Sequence, residues 1–284
     1  MTDEPKPILI QGRLDVCELD RARMSLMNPA LIDQKNETRT IDENAKPLIA
    51  MTMREGIETV WDRFEMQQPS CKYCESGLSC ARCTMGPCRI IPPHRVRGVC
   101  GADSDLIVAR NLLDTIATGA AAHSDHGRDI VETLYLVGTG KTQDYGITDP
   151  EKLRKISTEF GIATDGKSPD TLAAELGRAM LEEYGMVKNR LQFLSRAPKG
   201  TREVWDKAGI SPRGIDREVV DSMHRIQMGV GADYTGMLLQ GLRCSLSDGW
   251  GGSMMGTDIS DVLFGTPSPV KSHINLAVLK EDHV

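Results

Sequence analysis

Six of the eight cysteines in this 284-residue chain fall between Cys71 and Cys100. Their spacing is C-x2-C-x5-C-x2-C-x4-C-x11-C, at Cys71, Cys74, Cys80, Cys83, Cys88 and Cys100. A segment so rich in sulfur, Gly and Pro does not make long helices or strands. It wraps in short turns around something. What that is depends on compartment. The chain opens on acidic residues without an apolar signal-peptide core, and no window approaches the ~18 consecutive apolar residues of a membrane span. A cytosolic location is therefore expected. There, clustered thiols serve metal or redox chemistry rather than a disulfide framework.

Zinc and iron–sulfur remain as alternatives. Structural zinc sites commonly use two C-x2-C pairs separated by a finger of about 12–20 residues. Here only five residues separate Cys74 from Cys80, and His94 has no partner for an H-x3–5-H pair. An iron–sulfur cube accepts cysteines from short irregular loops plus one more distant cysteine. Cys80-x2-Cys83-x4-Cys88 followed by Cys100 fits that pattern, with Gly86-Pro87 before the third thiol. Spacing favours iron–sulfur. If those four saturate one cluster, Cys71 and Cys74 are left as half a site. A two-fold axis would supply the other half from a second subunit, so a homodimer is expected. The plain alternative is that Cys71 and Cys74 are ordinary thiols, as Cys17 and Cys244 are expected to be.

The rest of the chain reads as mainly α. Residues 1–45 form a polar N-terminal extension, 46–102 the cluster-binding segment, 103–245 a helical domain, and 246–284 the beginning of an α/β domain. One helix is expected through Met51, Met53, Ile57, Val60 and Trp61. Another starts at Asp103 or Ser104 and a further one at Ser124. Asp149-Pro150 and Ser168-Pro169 each place a cap before a first-turn Pro, with Gly161 and Gly185 at the matching ends. Two more helices are expected after Thr201 and Asp216. Gly249, Gly251, Gly252 and Gly256 crowd a segment whose Asp248–Gly252 part reads as a loop, and it leads to a short helix ended by Gly265 and Pro267. INLAVL near the end reads as a strand.

Acidic residues number 40 against 34 basic ones, a formal net charge of −6, which disfavours a chain-wide nucleic-acid surface. His123, His126, Asp129 and Glu132 recur every three residues and share one track of a helix. On pattern alone this track is a solvated polar face. The Asp248–Gly252 segment lacks the Lys-Ser/Thr of a phosphate-binding loop, so nucleotide binding is weakly supported. Arg82, Arg89, Arg95 and Arg97 make the cysteine segment basic and balance an anionic cluster, with docking to an acidic ferredoxin a secondary role.

CKYCESGLSCARCTMGPCRI, GVCGADSDLIVARN and GAAAHSDHGRDIVETL together resemble the N-terminal part of the anaerobic nickel–iron carbon monoxide dehydrogenases. REGIETVWDR upstream and SDGWGGSMMGTDISDVLFGTPSPVK downstream agree in order and spacing, so the resemblance spans about Asn44 to Val284. It implies a helical domain leading into an α/β (Rossmann-like) one. It also implies a 4Fe–4S cluster on Cys80, Cys83, Cys88 and Cys100, and a cluster shared between subunits on Cys71 and Cys74. Some relatives place the second bridging cysteine where this chain has Ser79, so the shared cluster is either 2Fe–2S or 4Fe–4S. His123 matches the family's active-site histidine and His126 the next step of a proton path. Asp129 and Glu132 replace later histidines, and Asp248 is a proton-handling group beside the active cluster. Implied partners are a ferredoxin-like electron carrier and an acetyl-CoA synthase.

The same resemblance marks a departure. The family's nickel–iron–sulfur cluster, which oxidises CO with water, is held by a His and several Cys downstream of VLKEDHV, and a catalytic Lys also lies later. The expectation is thus the relay half of an oxidoreductase: a fragment, a truncated product or one piece completed by a separate C-terminal half, inactive toward CO alone. The competing class is a non-catalytic zinc- or iron–sulfur-stabilised helical module for binding or redox sensing.

Overall fold

The computed structural model describes residues 39–186 and 190–268. The arm over residues 1–38, Cys17 and the INLAVL strand candidate lie outside them. The chain divides into two compact units, 1–72 and 73–284. In the first, helix α1 (Ala45–Arg54) buries Ile49, Ala50 and Met53, with Ala45 and Trp61 packed on them. The single helix expected through Trp61 is in fact two. Gly56 takes φ 65°, a left-handed conformation that ends α1 and that side-chain-bearing residues rarely adopt. Helix α2 (Val60–Met66) then restarts behind Thr59, in a capping box with Asp62.

In the second unit a four-residue helix α3 (Lys72–Glu75), which begins at the boundary, leads into a two-residue hairpin, β1 (Ser79–Cys80) against β2 (Cys88–Arg89). The turn-rich expectation for residues 71–100 holds. The dominant element is α4 (Ser104–Gly138), 35 residues long and capped by Asp103, whose carboxylate accepts the Leu106 N–H at 3.0 Å. Two helices were expected here, and the structure has one. Ser124 does not cap a new helix. Its hydroxyl donates back to the Ala120 carbonyl inside the continuing turn. No Pro or positive-φ Gly interrupts the run.

Helices α5 (Pro150–Glu159) and α6 (Pro169–Tyr184) start and end where the Asp-Pro, Ser-Pro and Gly signals place them. A 3-10 turn (Gln192–Arg196), α7 (Lys199–Ala208), α8 (Ile215–Arg225) and α9 (Tyr234–Ser247) follow. The glycine-rich segment expected as a loop is instead a π turn (Asp248–Gly252) that runs directly into α10 (Ser253–Phe264). Close packing against α4 explains it: a Cβ on Gly252 would lie 2.4 Å from the Ser124 Cβ. The C-terminal half of α4 packs with α5, α6 and α10 in the main core around Leu134, Leu153, Leu176, Met180 and Ile259. Its N-terminal half packs Leu106, Ile107 and Leu113 against Cys80 and Ile90 of the hairpin. The fold is mainly helical. Among the described residues no helix is long and apolar enough to cross a membrane.

Two buried acids behave oppositely. Burial pushes the Glu218 carboxyl up, but the Arg213 fork at 2.8–2.9 Å outweighs it and holds the group below the usual range. Among the described residues Glu183 has no cation. Burial pushes it to about 7, the Gln192 N–H opposes the shift, and its buried Oε2 has no partner among those residues. A carboxyl whose pKa rises on folding stabilises the protein below its unfolded pKa and loses that contribution as pH climbs toward 7. Relative to the unmodified protein, Glu183→Gln should therefore gain stability as pH rises from 5 to 8, measured as the difference in thermal midpoints. A difference that stays constant with pH would contradict the assignment.

Candidate metal centre and histidine pocket

Cys80, Cys83, Cys88 and Cys100 line one cavity beneath the N-terminal half of α4, together with Arg82, Gly98, Ala102, Ile107, Arg110 and Met228. The hairpin brings Cys80 opposite Cys88, and Asn111 of α4 anchors it by donating to the Gly77 and Ser79 carbonyls at 3.0 and 2.8 Å. Two glycines make the wrap possible. A Cβ on Gly86 would lie 2.9 Å from the Cys80 carbonyl oxygen, and one on Gly98 would lie 3.4 Å from the Cys88 sulfur. Donors face the thiols. The Val99 N–H reaches Cys88 Sγ and the Arg110 guanidinium reaches Cys100 Sγ, each at 3.4 Å. The Arg110 hydrogen bond holds the Cys100 thiol below its ordinary range, against the opposing effect of burial.

Among the described residues no three His, Cys, Asp or Glu side chains converge on a single-ion position. The four thiols instead border a shared space, and their soft donors with N–H groups aimed at sulfur suit a thiolate-bound iron–sulfur cluster. Cys74 belongs to the same unit and accepts a hydrogen bond from Ser79 Oγ at 3.3 Å, whereas Cys71 belongs to the first unit. Cys244 is fully buried beside Ala117 and Ala120, and burial raises its thiol to about 11, so it is a packing residue. The sequence pattern points to four arginines around the cysteines but not to Arg110. The signal was present: Arg110 stands on the stripe Leu106, Leu113 and Ala117, where a charge is out of place.

Farther along α4, His123 and His126 line a second, open pocket of about 200 Å³ with Gly127, Gly252, Ser253 and Gly256. His123 Nδ1 and Asp248 Oδ2 are 2.8 Å apart, which joins the two predicted residues across 125 positions of sequence. Asp248 Oδ1 is buried with no hydrogen-bond partner among the described residues. Asp129 and Glu132 continue the same exposed track but do not line the pocket. The π turn can approach α4 only because Gly127 faces it. A Cβ there would lie 2.3 Å from the Gly252 carbonyl oxygen.

The Prismane/CO dehydrogenase family model matches residues 78–284. The carbon monoxide dehydrogenase 1 of Methanosarcina mazei is 50% identical over 248 residues, which are 87% of this chain and 40% of that protein. The Ni-free carbon monoxide dehydrogenase of Thermococcus sp. AM4 superposes with a TM-score of 0.78 at 48% identity, over 87% of this chain and 40% of that one. An acetyl-CoA synthase/carbon monoxide dehydrogenase described with NiZn and NiNi Fe4S4 clusters in its alpha subunits gives a TM-score of 0.77 at 36% identity, over 83% and 36%. The chain belongs to the Prismane/CO dehydrogenase family, and it spans about 40% of the length of the curated relative that it matches.

The close helix crossing makes a paired prediction. Gly127→Ala should lower stability by roughly 1–3 kcal/mol through overpacking against Gly252. Gly119→Ala, on the same helix with nothing within 4 Å of its Cβ position, should be neutral or raise stability by up to about 1 kcal/mol. Urea midpoints of the two variants test this. Equal effects would contradict the close-packed crossing.

Proposed function

We propose that this chain is the electron-relay portion of a carbon monoxide dehydrogenase, the oxidoreductase that converts CO and water to carbon dioxide, two electrons and protons. The observation that carries the proposal is the shared cavity of Cys80, Cys83, Cys88 and Cys100 with donors directed at its sulfurs, in a chain of this family. These thiols would hold a 4Fe–4S cluster, which takes up and releases single electrons when bound. The hairpin and Asn111 fix the spacing of the thiols, and the buried packing around Ile90, Leu106 and Ile107 limits water on that side.

Cys71 and Cys74 would meet their counterparts across a homodimer axis and share a 2Fe–2S or 4Fe–4S cluster, giving electrons a route to a ferredoxin-like carrier. The Ser79 hydroxyl beside Cys74 supports this. The position where some relatives carry the second bridging cysteine lies next to the thiol that this chain offers instead. His123, oriented at Nδ1 by Asp248, would keep Nε2 for a proton in the pocket, with His126 as the next acceptor and the exposed Asp129 and Glu132 beyond it. The nickel–iron–sulfur cluster belongs to the full-length family enzyme, as does any association with an acetyl-CoA synthase. A cytoplasmic setting suits the reduced thiols.

Anaerobically purified chain should be brown and bleach with dithionite. Cys71→Ser/Cys74→Ser should lower iron by the shared cluster alone, whereas Cys83→Ser/Cys88→Ser should abolish the cluster in the cavity. A colourless zinc protein would overturn the assignment in favour of a zinc-stabilised binding module, and unchanged iron in both variants would overturn it by placing the iron away from these thiols.

A further inference from the structure

The cavity poses an electrostatic question. Arg110 is only 3% exposed. One of its terminal nitrogens donates to Cys100 Sγ at 3.4 Å and the other to the Gly231 carbonyl at 2.7 Å, while its buried Nε has no partner among the described residues. Among the described residues it has no carboxylate. Other arginines in this unit do: Arg82 meets Asp114 at 2.6 Å, and Arg213 meets Glu218 and Asp221 at 2.8 and 2.9 Å. Taking a guanidinium out of water without an anion is costly. Its sulfur partner is Cys100, and the cavity that it lines gathers three further thiols, so the cavity side can supply a counter-charge.

We propose that Arg110 is a positioning residue that balances the charge of the cluster held by these four thiols and raises its reduction potential. The inference rests on the cluster reading above. A thiolate-bound iron–sulfur cluster gains negative charge on reduction, so a fixed internal cation with an N–H on a ligand sulfur favours the reduced form. The same side chain holds the chain between α8 and α9 over the cavity. Gly231 is bonded to it directly, and Met228 three residues earlier lines the cavity wall. Arg110 thus couples the cluster's charge to the segment that covers it.

The test compares Arg110→Gln and Arg110→Lys in the Cys71→Ser/Cys74→Ser background, so that one cluster is read. Iron and sulfide content are measured first, followed by a redox titration monitored by electron paramagnetic resonance. The Gln variant should keep its iron and titrate at a more negative midpoint, and the Lys variant should recover most of the shift. Loss of iron in Gln but not in Lys also supports the charge role. A Gln midpoint equal to that of the parent, or to that of a shifted Lys variant, would overturn the proposal. Loss of iron in both variants would overturn it as well, by assigning Arg110 to folding. Absence of iron from the parent itself would instead sink the cluster reading, so the two failures are distinguishable.

Discussion

Burial of one continuous face of helix α4 is the constraint on which the rest of the second unit depends. Leu106, Leu113, Ala117, Ala120, Ser124, Gly127, Val131 and Leu134 succeed one another along that face, all buried. Each stretch has its own partner: the cysteine hairpin at the start, Cys244 of α9 in the middle, then the π turn, and α6 with α10 toward the end. Long side chains fill the ends of the stripe and small ones its centre. The helix can therefore support a loop-built cavity at one end and admit a second backbone at Gly127. The stretch of α4 between Arg110 and His123 is what links the thiol cavity to the histidine pocket.

Much of this was legible in the sequence, because much of it is local. Cap residues before Pro, and Gly at helix ends, mark α5 and α6 through hydrogen bonds made within a few residues. The cysteine spacing identified four thiols that the fold brings to one cavity. What was not legible is tertiary. Ser124 looks like a cap in sequence, yet no local breaker stops the helix, and packing on both sides keeps it continuous. Gly249 to Gly252 look like a loop because glycine disfavours helix in isolation. Here the cost is offset by close approach to α4, which no window of sequence contains. Arg110 was hidden in the same way, since its partners are Cys100 and the distant Gly231.

The two sites on α4 differ in their chemistry. At the first, soft thiols gather with a buried cation and backbone donors, an arrangement suited to holding a charge-changing group with little reorganisation. At the second, an imidazole is fixed by a carboxylate at the edge of an open polar pocket, an arrangement suited to proton movement. Carried on one helix, the two arrangements would keep electron and proton handling apart in space while tying them to one folding unit.

Cys80, Cys83, Cys88 and Cys100 would enclose a multinuclear iron–sulfur cluster rather than a single ion. X-ray absorption at the iron and zinc edges of the anaerobically purified chain tests this most directly. Iron should be the dominant metal, coordinated by sulfur, with a distinct iron–iron scattering shell. Zinc in a shell of sulfur alone at about 2.3 Å, with no metal–metal scattering, would contradict it.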